Sequence, residues 1–193
     1  MKNPDDWRIL EIDSLFKNPH LEVFHERVIP PGEVRSRDWT VVRRKQAVVI
    51  APLTSEGNFV LIHQARIPVR RVLWEFPAGQ IDDSMTPDMQ LIRETALREL
   101  GEETGYSLIA GGDLTYLGHY YSSQGYSDET PHLFLARPVQ ATGLGHQPDA
   151  SESIAECREF SPTELSSMIA DSVIQDANTL AVFARLSARK LLP

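Results

Sequence analysis

The chain has 193 residues, of which 41% are hydrophobic and 24% charged, and its formal net charge is −8. These values are ordinary for a globular protein with one substantial core, and the acidic balance excludes a basic footprint for nucleic acid over the whole chain. No apolar run approaches the roughly 20 residues that a membrane-spanning helix needs. We therefore expect no nucleic-acid partner and no membrane contact.

Cysteine use and the first residues indicate the expected location. Cys157 is the single cysteine, so it cannot form an internal disulfide, and it has no metal-ligand spacing. The start of the chain lacks the apolar stretch of a secretory signal. We expect a cytoplasmic protein in which Cys157 is an inert strand residue.

Residues 1–45 are predicted to form a small β unit, and residues 46–193 the main domain. Short apolar runs at 7–10, 21–24 and 40–42 alternate with turn clusters such as 29–32. This alternation is typical of short strands separated by turns.

Strand and helix signals are mixed over residues 46–193. Strands are predicted at 47–53 and 59–63, which a five-residue hairpin loop separates, and at 74–76, 114–121, 132–136 and 154–160. Helices are predicted around 86–105, from residue 161 and over 176–192. Since strands and helices do not alternate regularly, we expect an α+β fold, a mixed-sheet sandwich flanked by helices.

The first of these helices has clear end signals. Thr86 is predicted as its N-cap, with Pro87 in the first turn, and Gly105 is placed to end it. Its apolar side is expected to comprise Leu91, Ile92, Thr95, Leu97 and Leu100.

An acidic cluster lies near the end of this helix. Glu99, Glu102 and Glu103 are three and four residues apart, so they share one helix face. Carboxylates this close repel one another, whereas a divalent cation such as Mg²⁺ takes carboxylate oxygens as ligands. Arg98 can orient the cluster by ion pairing. The alternative interpretation is a solvated acidic face.

The segment resembles the Nudix box, in which Gly, five residues, Glu and seven residues precede Arg-Glu-aliphatic-x-Glu-Glu-x-Gly-hydrophobe. Gly79 opens the box, and residues 98–106 match its second half. The stretches 64–69, 75–82, 123–129 and 174–180 also resemble the ADP-ribose pyrophosphatase branch, with Gln124 in place of a proline. The likeness spans about residues 39–185.

This resemblance implies a Nudix-type fold and a metal site for Mg²⁺, or for Mn²⁺ in its place. Glu99 and Glu103 are implied as the most direct metal ligands, and Glu102 shares a metal. The backbone carbonyl of Ala78 is implied as a further ligand.

The resemblance also implies the catalytic groups. Residues 147–154 are similar to a loop that brings a catalytic glutamate in this branch, and Glu152 occupies that place. Glu152 is therefore expected as the general base, with Glu156 as the alternative. Glu102 and Arg98 complete the expected catalytic set.

Four residues are expected to bind the substrate: Arg66, Glu75, Trp39 and Gly79. Arg66 suits phosphate or adenosine, and the resemblance implies that Glu75 binds a ribose hydroxyl. The alternatives are a structural salt bridge for Arg66 and strand-end capping for Glu75. Trp39, or less favourably Trp7, is a candidate for stacking on the base, although a lone tryptophan is more often a core residue.

Two departures from the box affect the metal site. Met85 stands where the first glutamate is expected, and the spacing from there to Arg98 is five residues longer than the pattern. We expect the extra residues to lengthen the helix at its N-terminal end. Glu94 precedes Glu99 by five residues, which places it about 140° away on the helix, so it does not replace the missing acid.

The resemblance implies Mg²⁺-dependent hydrolysis of the pyrophosphate bond of ADP-ribose or another nucleoside diphosphate sugar. The products are a nucleoside monophosphate and a sugar phosphate. The alternative is a non-catalytic module that senses a nucleotide sugar through a degenerate Nudix box. Similar enzymes exchange their N-terminal region between subunits, which implies a homodimer.

Overall fold

The computed structural model describes residues 6–82, 84–145 and 153–193. The chain divides into two compact units, one with residues 6–45 and Tyr121–Thr130 and the other with Gln46–Tyr120 and Pro131–Pro193. One division falls after Lys45, and segment 121–130 groups with the N-terminal unit. Backbone pairing is the reason, since Val42 N donates to Tyr126 O at 2.7 Å.

The N-terminal unit contains a three-stranded antiparallel sheet in the order β1-β2-β3. Its strands are β1 (Arg8–Lys17), β2 (Leu21–Ile29) and β3 (Arg37–Arg44). Asn18 closes the first turn, because its Oδ1 accepts hydrogen bonds from the backbone N–H groups of His20 and Leu21. The three predicted strands are confirmed.

The larger unit is built on a seven-stranded mixed sheet within the described residues. Its strands are β4 (Ala47–Thr54), β5 (Phe59–Arg66), β6 (Arg71–Glu75), β7 (Ala78–Gln80), β8 (Tyr106–His119), β9 (Pro131–Ala141) and β10 (Ile154–Phe160). The central order is β10-β5-β4-β9-β8, with β6 on β5 and β7 on β4. The β4–β9 pair is parallel and the others are antiparallel, which confirms the mixed sheet.

The helices of the described residues are α1 (Met89–Thr104), α2 (Pro162–Ala170) and α3 (Ala177–Ala188). Ser161 and Asp176 cap α2 and α3, since their side chains accept hydrogen bonds from backbone N–H groups of the first turn. The predicted helix starts at these two residues are confirmed. No helix in this part of the chain is both long and apolar enough to cross a membrane.

Two buried clusters lie on opposite faces of the sheet. Phe59 and Leu61 of β5 belong to one cluster, and Val60 belongs to the other. The first cluster includes Leu165, Val182 and Leu186 of α2 and α3, and the second includes Ile92, Ala96 and Leu100 of α1. Because successive strand residues point to opposite faces, α1 covers one face and α2 with α3 covers the other. The helix-flanked α+β sandwich is confirmed.

The start of α1 differs from the prediction. Asp88, not Thr86, is the N-cap, and its Oδ1 accepts a hydrogen bond from Leu91 N at 2.9 Å. A carboxylate at this position also interacts favourably with the positive end of the helix dipole. Gly105 ends the helix in the left-handed conformation, with φ 72°, as predicted.

Two other expectations for α1 are wrong. Because the helix begins at Met89, the extra residues lie in the segment between β7 and α1 and do not lengthen the helix. Leu97, expected on the apolar side, is 43% exposed, whereas Ala96 is fully buried. The apolar stripe therefore passes through Ala96.

Candidate active site

Two carboxylates on one face of α1 are buried beside β7. Glu99 is 6% exposed and Glu103 is fully buried, and they lie one helical turn apart. Ala78 N donates a hydrogen bond to Glu103 Oε2 at 2.6 Å. Burying a carboxylate is costly unless it is hydrogen-bonded or paired, so this part of the helix departs from ordinary packing.

Arg98 holds two of the three glutamates. Its Nη2 lies 2.6 Å from Glu99 Oε1, and its Nη1 donates to Glu102 Oε2. Burial opposes the charge on Arg98, but the charges of Glu99 and Glu102 outweigh this effect and raise its pKa. The sequence-based expectation that Arg98 orients the acidic cluster by ion pairing agrees with these contacts.

Gly79 lies directly against the Glu99 carboxylate. A Cβ atom built on Gly79 would overlap Glu99 Oε1 and Cδ. Gly79 pairs with Val48 of β4, so its backbone cannot move away without breaking the sheet. A side chain at position 79 would therefore displace the Glu99 carboxylate from its present position.

The residues around Glu99 and Glu103 suit a hard divalent cation by their chemistry. Carboxylate oxygens and the carbonyl of Ala78 are oxygen ligands of the kind that Mg²⁺ takes. As these side chains stand, the described residues contain no group of three His, Cys, Asp or Glu placed to hold an ion. Glu99 and Glu102 instead pair with Arg98.

The first acidic position of the box is not filled in the structure. Met85 is 52% exposed and lies before α1. With the seven intervening residues of the box before Arg98, the position falls on Gln90 in the first turn of α1. Gln90 Nε2 donates to Glu94 Oε1 at 2.9 Å, and Glu94 is exposed, in agreement with its expected exclusion from the site.

Arg66 and Glu75 form a close ion pair on β5 and β6. Arg66 Nε and Nη2 donate to Glu75 Oε2 at 3.0 and 2.5 Å, and Glu75 is 1% exposed. Burial raises the pKa of the Glu75 carboxyl, and Arg66 opposes that rise. Burial likewise opposes the charge on Arg66, but Glu75 outweighs it and raises the guanidinium pKa. The structural salt bridge is therefore present, and substrate binding by these residues stays a prediction.

The expected general base, Glu152, lies outside the described residues. Its alternative, Glu156, lies 3.7 Å from His63 Nδ1. His63 stacks on Trp74 at a ring separation of 4.5 Å, on the sheet face that α2 and α3 cover. Since Glu156 pairs in register with His63, it lies on the face opposite to α1, which argues against it as the base.

Trp39 lies in the N-terminal unit and is half exposed. Its Nε1 donates to Gly125 O at 2.9 Å. Trp39 lines a cavity of about 480 Å³ within this unit, together with Trp7, Ile9, Glu26, Val28, Pro30, Arg37, Val41, Gln124 and Gly125. An apolar cavity with two indole rings has the chemistry to hold a flat aromatic group.

Gln64 of β5, to which the sequence assigned no role of its own, is a further buried polar residue and is 4% exposed. Its position in β5, two residues from Arg66, places it on the same face as the expected substrate residue. Such a residue can be found from the sequence, because the alternation of side chains along a strand shows where a polar residue occupies a buried position.

Comparison with known proteins agrees with this geometry. The NUDIX domain family model matches residues 43–183. The chain is 29% identical over 181 residues to the ADP-ribose pyrophosphatase of Bacillus subtilis (strain 168), which covers 93% of this chain and 92% of that protein. It is also 29% identical over 168 residues to the methanol dehydrogenase activator of Bacillus methanolicus. That match covers 85% of this chain and 83% of that protein.

A solved structure has the same fold. The crystal structure of an ADP compounds hydrolase matches with a TM-score of 0.77 at 18% identity, over 100% of this chain and 97% of that chain. Because the family model extends over more than half of the sequence, from residue 43 to residue 183, the chain belongs to the NUDIX domain family.

Proposed function

We propose that the protein hydrolyses the pyrophosphate bond of a nucleoside diphosphate sugar, with ADP-ribose as the first candidate, and that it needs Mg²⁺. The buried pair of Glu99 and Glu103 beside Gly79 is the observation that carries this proposal. Such a pair has no evident role in packing, whereas it provides oxygen ligands for a cation. Mn²⁺ is the proposed substitute metal.

The proposed roles follow from the contacts in the larger unit. Glu99, Glu103 and the Ala78 carbonyl hold the metal, and Glu102 shares it. When bound, the metal neutralises phosphate charge and lowers the pKa of water. Arg98 orients the glutamates through its two ion pairs.

The general base is proposed from the sequence alone. Glu152 takes the proton of the attacking water, because it occupies the place of the catalytic glutamate in the similar loop. Glu156 is less suitable, since its carboxylate lies near His63 on the other face of the sheet.

The substrate is proposed to contact several groups. Arg66 binds a phosphate or the adenosine, and Glu75 a ribose hydroxyl. Gly79 leaves space beside the metal ligands because it has no side chain. Trp39 stacks on the base, which the apolar cavity of the N-terminal unit supports.

We also propose a homodimer formed through the N-terminal unit. All ten residues of β1 are exposed, and its exposed apolar side chains include Ile9, Leu10, Leu15 and Phe16. A strand that exposes several large apolar side chains is a candidate for a protein–protein interface. Light scattering should give twice the chain mass of 21.7 kDa, and Leu10→Asp with Leu15→Asp should give the single-chain mass. A wild-type protein of single-chain mass would contradict the dimer.

The proposed location is the cytoplasm, which the single cysteine supports. The proposed substrate is a small molecule, and the acidic chain is not expected to bind nucleic acid.

The function is tested with a substrate panel of ADP-ribose, ADP-glucose, GDP-mannose, NADH and a dinucleoside polyphosphate. Each is incubated with Mg²⁺, with Mn²⁺ and with chelator, and release of monophosphate is followed. We expect metal-dependent turnover of one or two diphosphate sugars. Turnover that persists in chelator would contradict the metal site.

A matched pair of variants tests the site itself. Glu103→Gln removes one metal-ligand charge at nearly constant size, and we expect turnover to fall at least about a hundredfold, as for loss of a major electrostatic stabiliser. Glu94→Gln makes the same change on the exposed side of α1 and should leave turnover unchanged. Near-normal rates in Glu103→Gln would show that the metal site is placed wrongly.

A nucleotide-sugar sensor without turnover is the second candidate. Gln90 and Met85 favour it, since neither supplies an acid at the first position of the box. A relative that carries the name of an activator also supports it. Tight binding of one ligand from the panel without any turnover would favour the sensor over the enzyme.

A further inference from the structure

Gln64 carries a buried hydrogen-bond acceptor that the described residues leave unsatisfied. Its side chain is 4% exposed, and its Oε1 is buried without a hydrogen-bond partner. Gln46, by contrast, has a partner for its amide oxygen, since its Oε1 lies 2.6 Å from His132 Nε2. Buried acceptors are nearly always partnered in folded proteins, so an exception requires a physical reason.

The strand register places Gln64 on the face that carries the candidate active site. In β5, Val60 packs in the cluster of α1, and side chains two residues apart share a face. Gln64 and Arg66 therefore lie on the α1 face. Glu75 also lies there, because it pairs in register with Ile62.

The electrostatics of Arg66 support this placement. Among the groups that raise the pKa of Arg66, Glu75 acts most strongly, followed by Asp176 at the start of α3 and then by Glu103 of α1. The buried carboxylate of α1 is thus close enough to Arg66 to affect its charge. Gln64 precedes Arg66 by two residues, so it lies on the same strand face, which is the face that α1 covers.

The burial of Gln64 restricts what can donate to it. A side chain that is 4% exposed leaves little access for a sugar ring or a base, whereas a water molecule needs only a small polar space. Hydrolysis of a pyrophosphate requires one water as a reactant. The water that hydrolysis requires is therefore a suitable donor for the hydrogen bond that Gln64 Oε1 lacks.

We propose that Gln64 is a positioning residue whose Oε1 accepts a hydrogen bond from the water that attacks the substrate phosphorus, an inference that rests on the proposed function. One O–H group of the water donates a hydrogen bond to Gln64 and keeps its proton on the water oxygen. The proton of the other O–H group passes to the general base. The new P–O bond forms as the bridging P–O bond breaks, and the bridging oxygen leaves on the departing phosphate. Gln64 gains and loses no proton.

The variant Gln64→Met tests this role, because methionine keeps the length and removes the amide. We expect kcat to fall roughly 10- to 100-fold, as expected for a misplaced reactant, with KM within about twofold of wild type because the substrate itself is not contacted. Gln64→Glu keeps an oxygen acceptor and should recover most of the lost kcat. An unchanged kcat in Gln64→Met, or a raised KM at constant kcat, would overturn the inference.

Thermal unfolding without ligand gives a readout that does not depend on activity. Removing an unsatisfied buried amide should raise the Tm of Gln64→Met by about 2–4 °C, the scale for a modest gain in a protein of this size. Gln46→Met is the matched control and should lower the Tm, because it leaves His132 Nε2 without its acceptor. A lowered Tm in Gln64→Met would mean a structural role and would overturn the inference.

The wild-type substrate panel separates the two possible failures. If the wild type hydrolyses nothing, the proposed function is wrong and the inference is wrong with it. If the wild type is active and Gln64→Met has normal kcat, only the inference is wrong.

Discussion

Thr179 of α3 accepts a hydrogen bond from the backbone N–H of Phe76, 103 residues earlier in the chain, at 2.9 Å. Thr179 is fully buried, and its Oγ1 donates in turn to Asp176 Oδ2 at 2.8 Å. Phe76 lies two residues before Ala78, the proposed carbonyl ligand of the metal. The start of α3 therefore holds the strand segment that enters the candidate active site.

Thr179→Val should destabilise the fold and lower activity. Valine keeps the shape but leaves Phe76 N–H buried without an acceptor, which costs about 1–3 kcal/mol. Chemical denaturation measures the loss, and kcat should fall because Ala78 is held less firmly. Thr179→Ser keeps the hydroxyl and should lose less than about 1 kcal/mol, the cost of one methyl group. Equal losses in the two variants would mean that the hydrogen bond is unimportant.

Gly79→Ala should reduce turnover at least about tenfold, because a 1 Å misplacement of a reacting group can cost about a hundredfold. The added Cβ would overlap the Glu99 carboxylate and displace it from the proposed metal. Gly101→Ala is the control, on the helix that carries Glu99. The atom nearest to its added Cβ would be Tyr106 O, at 4.0 Å. This substitution should stabilise α1 by about 0.5–1 kcal/mol and leave kcat unchanged. Normal turnover in Gly79→Ala would show that Glu99 does not need its present position.

Acid should destabilise the protein partly through His132. Burial, reinforced by His119, lowers the pKa of His132, while Tyr116 OH lies 3.0 Å from its Nδ1 and Gln46 lies at its Nε2. Because the folded state disfavours the proton, the unfolded chain binds more protons once pH falls below the ordinary histidine pKa of about 6.5. The stability from neutral His132 is present above that pH and is lost as pH falls through the folded pKa.

The measurement for His132 is the Tm between pH 7.5 and pH 5. Wild type should lose Tm on acidification, and His132→Gln should show a smaller loss over the same interval. The same slope in both proteins would assign the acid sensitivity to other groups.

Cys157 should react slowly with thiol reagents in the folded protein. Burial, reinforced by the charges of Glu159 and Glu103, raises its pKa to about 12. Its thiolate fraction at pH 8 is then on the order of a thousandfold below that of an ordinary thiol with a pKa of about 8.5. Labelling with an aromatic disulfide reagent should be at least about a hundredfold slower in native protein than in denaturant. Equal rates would contradict the partial burial of Cys157.

Features that depend on local spacing were predictable from the sequence. Most strands and the three α-helices of the larger unit follow from apolar runs and end signals, and Gly105 ends α1 as its position predicts. Glu99 and Glu103 share a face because helix geometry alone relates residues four apart. The family followed from the residues of this same helix and from Gly79.

Features that depend on partners from elsewhere in the chain were not predictable in the same way. β7 has three residues and is stable as a strand because β4 pairs with it. Thr86 and Asp88 are both good N-cap residues, and the segment from β7 decides which one begins the helix. Segment 121–130 joins the N-terminal unit through pairing with Val42.

The sequence by itself determined that Glu99, Glu102 and Glu103 lie together, since helix periodicity places them on one face at short range. The tertiary structure alone decided their partners: Arg98 pairs with Glu99 and Glu102, and Ala78 N–H donates to Glu103. It also buried Gln64 Oε1 with no hydrogen-bond partner among the described residues. The physical reason is that burial and hydrogen-bond partners arise from strand pairing between residues distant in the chain, which local patterns do not specify.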